Sequence, residues 1–188
     1  MIEKSHPYHF LSQLFEDSSS VFQFSQYVYV PDSILDEREC FYRAGREITS
    51  SAVERMICEL GGNQELAFHS VVKKGGRTWH IPMIDLAVEE PLTRELIERM
   101  GRYIPRRVFM NMKFYSSGRS FHAYSLTLLS PKEWIEFMGR LLLVNGEKAN
   151  YVDTRWIGHR LIGGFSSLRW SNNSGLYVRM PSEASLKL

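Results

Sequence analysis

Hydrophobic and polar positions change period several times along the chain. Residues 21–30, VFQFSQYVYV, alternate with a period of two, as a half-buried strand does, and Pro31 ends the run. Residues 50–60 place Val53, Met56, Ile57 and Leu60 at helical spacing behind a serine cap, and Gly61-Gly62 stops them. LAFHSVV (66–72) and RTWHIPMIDLAV (77–88) are β-rich runs whose KKGG link is a hairpin signal. Residues 92–104 follow Pro91 with Leu92, Leu96, Ile97 and Met100 on one helical face. VFMNMKFY (108–115) and FHAYSLTLL (121–129) read as strands around the turn SSGRS. Pro131 opens a helix to about Val144, and a short helix from Asp153 to Ile162 leads to the strand FSSLRWS (165–171). HPYH near the N-terminus reads as a surface turn, and FYRAGREI (41–48) as a structural loop or a template-side contact. The order, roughly βαββαββααβ, predicts an α+β fold: a mixed or antiparallel sheet with helices packed on one face.

Composition narrows this only a little. The 188 residues are 44% hydrophobic, enough for a sizeable core, and suit a single domain, 1–188. Within it an N-terminal strand and helix subregion, 1–64, precedes the rest. The net charge of +2 neither announces nor excludes a nucleic-acid partner, since a groove needs only a local excess of charge. Cys40 and Cys58, without CxxC spacing, indicate neither a disulfide framework nor a cysteine zinc site. No run is apolar enough to span a membrane, and MIEKSHPYHF lacks a signal-peptide core. The expectation is an intracellular, cytoplasmic protein without a membrane partner.

Three stretches carry candidate chemistry. In HIPMIDLAVEE, Asp85 closes a strand that reads as buried, where a carboxylate is expensive without a partner. In SSGRSFHAYS, Ser120 and His122 share a strand face because side chains repeat every two residues, and Arg119 stands beside them. In YVDTRWIGHRLIGGFSSLRWS, Asp153 starts a helix carrying Arg155, His159 and Arg160, and the next strand delivers Arg169. Hard divalent cations take carboxylate oxygens, and triphosphate oxygens take hydroxyl, imidazolium and guanidinium donors. Each residue also has a simpler reading. Ser120 and His122 would satisfy a strand entry, Asp85 a turn, Asp153 a helix N-cap, and the arginines a solvated face. His69, His80 and His159 read as satisfied or exposed histidines.

The ordered set resembles the archaeo-eukaryotic primase superfamily, the primase-polymerases. The matching residues are Ile84-Asp85, then Ser117-Gly118-Arg119-Ser120-Phe121-His122, then Val152-Asp153, and the resemblance covers residues 65–180, a primase-like core. It implies an RRM-like sheet of the primase-polymerase catalytic type. On it, Asp85 and Asp153 act with His122 as catalytic residues. Ser120, His122, Arg119, Arg160 and Arg169 contact nucleotide, and the acids bind Mg2+ or Mn2+. The family's second acid in the first motif falls on Ala87. Glu89, two residues on and on the same face if the strand continues, is the expected substitute metal ligand, while Glu90 would point the other way. The implied activity is nucleotidyl transfer in primer synthesis, with nucleoside triphosphates, DNA or RNA, and a partner protein such as a helicase or nuclease subunit. The alternative is a catalytically inactive nucleic-acid-binding module, with bases stacking on Phe114, Tyr115, Phe121 and Tyr124. A histidine phosphoesterase lacks its paired His-x-Ser/Thr motifs.

Overall fold

A computed structural model describes residues 2–31, 33–89, 91–147 and 149–184. Helix α1 (Pro7–Phe15) precedes β1 (Val21–Val28), β2 (Glu39–Ala44), a 3-10 turn (Gly45–Glu47) and α2 (Ser50–Cys58). Then come β3 (Gln64–Lys74), β4 (Arg77–His80), β5 (Met83–Asp85), α3 (Arg94–Tyr103), α4 (Arg106–Phe109), β6 (Met112–Ser116) and β7 (Phe121–Ser125). The chain closes with α5 (Pro131–Val144), α6 (Thr154–Gly163), β8 (Ser167–Arg169) and β9 (Ser182–Glu183).

The strands form two antiparallel sheets. The first runs β2-β1-β3-β4, with β8 pairing on β3, and the second runs β5-β7-β6-β9. At the β3–β4 turn, Gly75 and Gly76 take φ of 57° and 71°, the left-handed pair that a two-residue hairpin demands. The expected single strand over 77–88 is instead two short strands in different sheets. Pro82 cannot donate to a ladder, and the chain crosses from the first sheet to the second at Ile81-Pro82.

The second sheet is buried on both faces. Ile84, Phe114, Phe121 and Ala123 join Leu96, Met100, Phe137 and Leu141 of α3 and α5 in one core. The alternate residues Met83, Tyr115 and Tyr124 join Phe22, Phe24, Leu66 and Phe68 of the first sheet in another. The fold is therefore α+β, with helices on antiparallel sheets, but the sheet is split in two where the resemblance implies one. Phe114, Tyr115, Phe121 and Tyr124 are all buried. Core packing takes these rings, so they offer bases no platform.

The N-terminal HPYH departs from its expected surface turn. His6 is buried as the N-cap of α1, its Nδ1 accepting from Tyr8 N at 3.1 Å. That fixes the proton on Nε2, which donates to the Trp170 carbonyl at 2.9 Å.

Candidate active site

The second sheet builds the site at the end of β5. On one edge of β5, β7 sets His122 opposite Asp85. On the other edge residues 151–153 add a further antiparallel rung. Leu86 bridges Val152, Asp153 N donates to Asp85 O at 3.0 Å, and Ala87 N donates to Tyr151 O at 2.9 Å. Residues directly opposite one another in an antiparallel pair project from the same face, with Cβ atoms about 5 Å apart. His122, Asp85 and Asp153 therefore stand in a row across three adjacent chain segments. Three motifs that are far apart in sequence supply them.

Ser120 holds the end of this row together. Its hydroxyl donates to Leu86 O and accepts from Val88 N at 3.2 Å, so its proton is committed to backbone. Asp153 has two places in the fold. It lies in the row, and its Oδ1 also accepts from Trp156 N at 3.0 Å as the N-cap of α6.

The electrostatics follow from this crowding. Burial, and then the like charge of Asp153, raise the Asp85 carboxyl to about 7, with Arg169 and Arg160 pulling weakly the other way. Burial, and then the nearby guanidinium of Arg169, lower His122 to about 3. His122 is thus a neutral imidazole at pH 7, not the imidazolium expected from the sequence. Its Nε2 lies 3.8 Å from Asp85 Oδ1, and its Nδ1 has no hydrogen-bond partner among the described residues.

The row opens onto a cleft of about 800 Å³ that Arg119, Ser120, Arg160 and Arg169 also line. Arg169 is buried and, among the described residues, donates to the carbonyls of Ser117 at 2.6 Å, Arg179 at 3.3 Å, and Ser171. Its guanidinium sits 3.8 Å from the Tyr177 ring centroid. Arg160 is buried too, with Nη1 on Ser167 Oγ at 2.6 Å and Nη2 on Asp36. Asp36 also accepts from Arg38 Nε at 2.7 Å, so one carboxylate serves two guanidiniums. Arg119 is exposed at the mouth.

Glu89 is exposed and outside the cleft lining. Backbone pairing beyond β5 reaches only Ala87, so the two-residue alternation is not carried on to Glu89. Glu90 lies outside the described residues. Sequence reasoning missed Tyr27, Asp36, Arg38 and Tyr177, which line the cleft from loops and strand ends without any motif.

A divalent cation fits the acid pair in one specific way. Among the described residues no three His, Cys, Asp or Glu side chains gather as a metal-holding group. Asp85 and Asp153 are two mutually repelling carboxylates on one face. Mg2+ commonly binds through one or two carboxylates and completes its shell with water and substrate phosphates. The pair suits an ion shared with a phosphate ligand, rather than one caged by protein alone.

A family model described as archaeo-eukaryotic primase 1D-like (AEP-like) matches residues 44–182. Comparison with curated proteins finds no match, and comparison with solved structures finds none.

Proposed function

Because this chain belongs to the archaeo-eukaryotic primase 1D-like family, we propose that its cleft binds a nucleoside triphosphate beside a DNA or RNA strand and carries out nucleotidyl transfer with Mg2+ or Mn2+. The observation that carries this reading is the row His122, Asp85 and Asp153 at the head of a cleft lined by Arg169. In the proposed reaction a hydroxyl at the end of the strand attacks the α-phosphorus of the triphosphate, a phosphodiester bond forms as the α–β phosphoanhydride bond breaks, pyrophosphate leaves and the hydroxyl proton passes to solvent.

Asp85 and Asp153 hold the divalent ion, which neutralises the acids and polarises the phosphate oxygens when bound. Neutral His122 donates one N–H to a phosphate oxygen. Arg169, held by three backbone carbonyls, presents its charge without losing side-chain freedom on binding. Arg119 reaches phosphate from the mouth. Arg160 acts through Asp36, and Ser120 keeps the strand ends in register. The primase-like core, 65–180, works in the cytoplasm with a partner such as a helicase or nuclease subunit. Among the described residues no helix is long and apolar enough to cross a membrane.

Ala87 favours a second reading, a catalytically inactive nucleic-acid-binding module that works with a partner protein. It is exposed in the cleft lining at the position where the family pattern has an acid, and Glu89 does not replace it there. Extension of a labelled primer on a template strand, in Mg2+ and in Mn2+, separates the two. The expected result is weak synthesis, stronger in Mn2+, which tolerates an incomplete ligand shell better than Mg2+ does. No extension in either metal favours the inactive module. Robust synthesis in Mg2+ shows that the site lacks no ligand.

A further inference from the structure

The first sheet ends in an open edge. Strand β2 pairs with β1 over six rungs, Gln26–Glu39 to Val21–Ala44, with no shift of register, and no other strand among the described residues pairs with it. Bonded and unbonded rungs alternate in an antiparallel ladder, and Gly45 N donating to Ser20 O at 2.9 Å sets the phase. Glu39, Phe41 and Arg43 therefore turn their backbone groups to β1, while Cys40, Tyr42 and Ala44 turn theirs outward. Two of the outward groups are taken locally. Ala44 N donates to Glu47 Oε2 at 3.1 Å, and Tyr42 O accepts from Arg43 Nη1 at 2.9 Å. Cys40 N, Cys40 O and Tyr42 N are left over among the described residues. Sheets commonly guard such an edge with proline, lysine or a bulge. The strand ECFYRA has neither residue, and its ladder has no bulge.

We infer that β2 seats the β2 strand of a second copy of this chain, antiparallel, about a two-fold axis through Phe41. Charge sets the occupant and its direction. Glu39 and Arg43 lie two residues either side of Phe41, exposed and on one strand face. Neither makes an ion pair among the described residues. In a parallel pair in register, each would face its own like charge. In the antiparallel pair centred on Phe41, Glu39 of each copy stands opposite Arg43 of the other. The same register sets Cys40 opposite Tyr42, the residues whose backbone groups point outward, and each such rung closes two N–H···O bonds. Tyr42 O then exchanges Arg43 Nη1 for the Cys40 N–H of the other copy, which frees the guanidinium to meet Glu39. Phe41, already stacked on Phe24 at 5.8 Å, meets its own copy on an unbonded rung, where side chains come closest. Moving the axis to Cys40 or Tyr42 still pairs outward groups but takes Glu39 and Arg43 out of opposition.

The axis stands perpendicular to the sheet, because opposite side chains in a ladder share a face. The order β4-β3-β1-β2 continues into the same order reversed, one sheet across two copies. Tyr27, Arg38 and Arg169 line the cleft from the face of this sheet opposite the Phe22 and Phe24 core. Both clefts therefore open on the same side of the joined sheet. This pairing does not depend on what the clefts bind. A pair of short strands covers less than a standard interface, so the dimer is weak and reversible.

The test is sedimentation equilibrium of the full chain at loadings from about 1 µM to about 1 mM, with circular dichroism to show that each variant is folded. The wild type is expected to pass from monomer to dimer within that range. Glu39→Arg sets arginine against arginine on both outer rungs, and Arg43→Glu sets glutamate against glutamate. Each should weaken the dimer at least about tenfold. An equimolar mixture of the two variants restores a Glu–Arg pair on both rungs and should dimerise as the wild type does. Cys40→Pro removes an N–H that β1 does not use, and should also weaken the dimer. A wild type that stays monomeric at every loading overturns the inference. So does a dimer that both charge variants leave intact, since it uses another surface, and so does a mixture of folded variants that stays monomeric.

Discussion

Asp85 is the residue on which most of the site's behaviour turns. Its carboxyl titrates near 7, against an ordinary value of about 4 in an unfolded chain. Between those values the folded protein holds a proton that the unfolded chain has released, so this group makes stability fall as pH rises from about 4 to 7. Above 7 its full cost is present. Asp85→Asn should therefore stabilise the protein by roughly 1–3 kcal/mol at pH 8 and by little at pH 5, as read by urea unfolding. Ala87→Asp should do the opposite in the absence of metal, adding a carboxylate on the rung next to the Asp85–Asp153 pair. The same substitution should tighten Mn2+ binding by supplying a further anionic oxygen, which a metal titration followed by thermal shift would read. At this scale the sequence was informative about Asp85, Ser120, His122 and Asp153, because their motifs are contiguous and ordered. It said nothing of Ser120's bond to Leu86 O, made between strands 34 residues apart in sequence. Nor did it reveal His122's neutrality, which burial and Arg169 impose.

Among the elements, β3 does the most to place the cleft. At its start Glu65 is fully buried, and its carboxylate takes Ser171 Oγ, Asn173 N at 3.0 Å, Ser174 N at 2.9 Å and Ser174 Oγ at 2.6 Å. These bonds anchor the segment that carries Leu176, Tyr177 and Val178 to the cleft. Glu65→Ala leaves four donors without their acceptor and should cost about 3 kcal/mol or more in chemical unfolding. Elements with strong local signals were legible in advance. Helices α2, α3 and α5 have a clear apolar face and caps at Thr49, Thr93 and Ser130, and Asp153 caps α6, although the α2 cap is Thr49 and not the expected serine. Elements whose reasons are tertiary were not. The cap of α1 is a histidine that closes on Trp170, 164 residues away. Strand β2 is a largely exposed edge with no alternation to read. Residues 108–111, expected in a strand, instead complete α4 and its C-cap, because Pro105 starts a short helix there.

Across the whole molecule, buried histidines set the response to acid. Burial lowers His6 and His80 to about 4 and His122 to about 3, and it pushes His69 well below its ordinary value. All four are neutral when folded and take up protons on unfolding below about 6.5, so stability falls with acid through that range. Asp85 opposes this, but it is one group against four. Between pH 7 and pH 5 the net loss should be roughly 3–5 kcal/mol in urea unfolding, a large share of an ordinary domain's stability. The larger architecture was legible as α+β with an ordered set of motifs, but its division into two sheets was not. That division turns on one proline inside an unbroken apolar run. On the proposed function, Asp85 and Asp153 form a single ion-dependent site for a nucleoside triphosphate. Equilibrium binding of labelled ATP tests it most directly, with Mn2+ and with EDTA, to wild type, Asp85→Asn and Asp153→Asn. Asn caps a helix as well as Asp does, so the second variant removes charge and keeps α6. The expected result is saturable binding by the wild type in Mn2+, lost in EDTA and reduced at least about tenfold in each variant. Binding that is equally tight in EDTA and in both variants would contradict the claim.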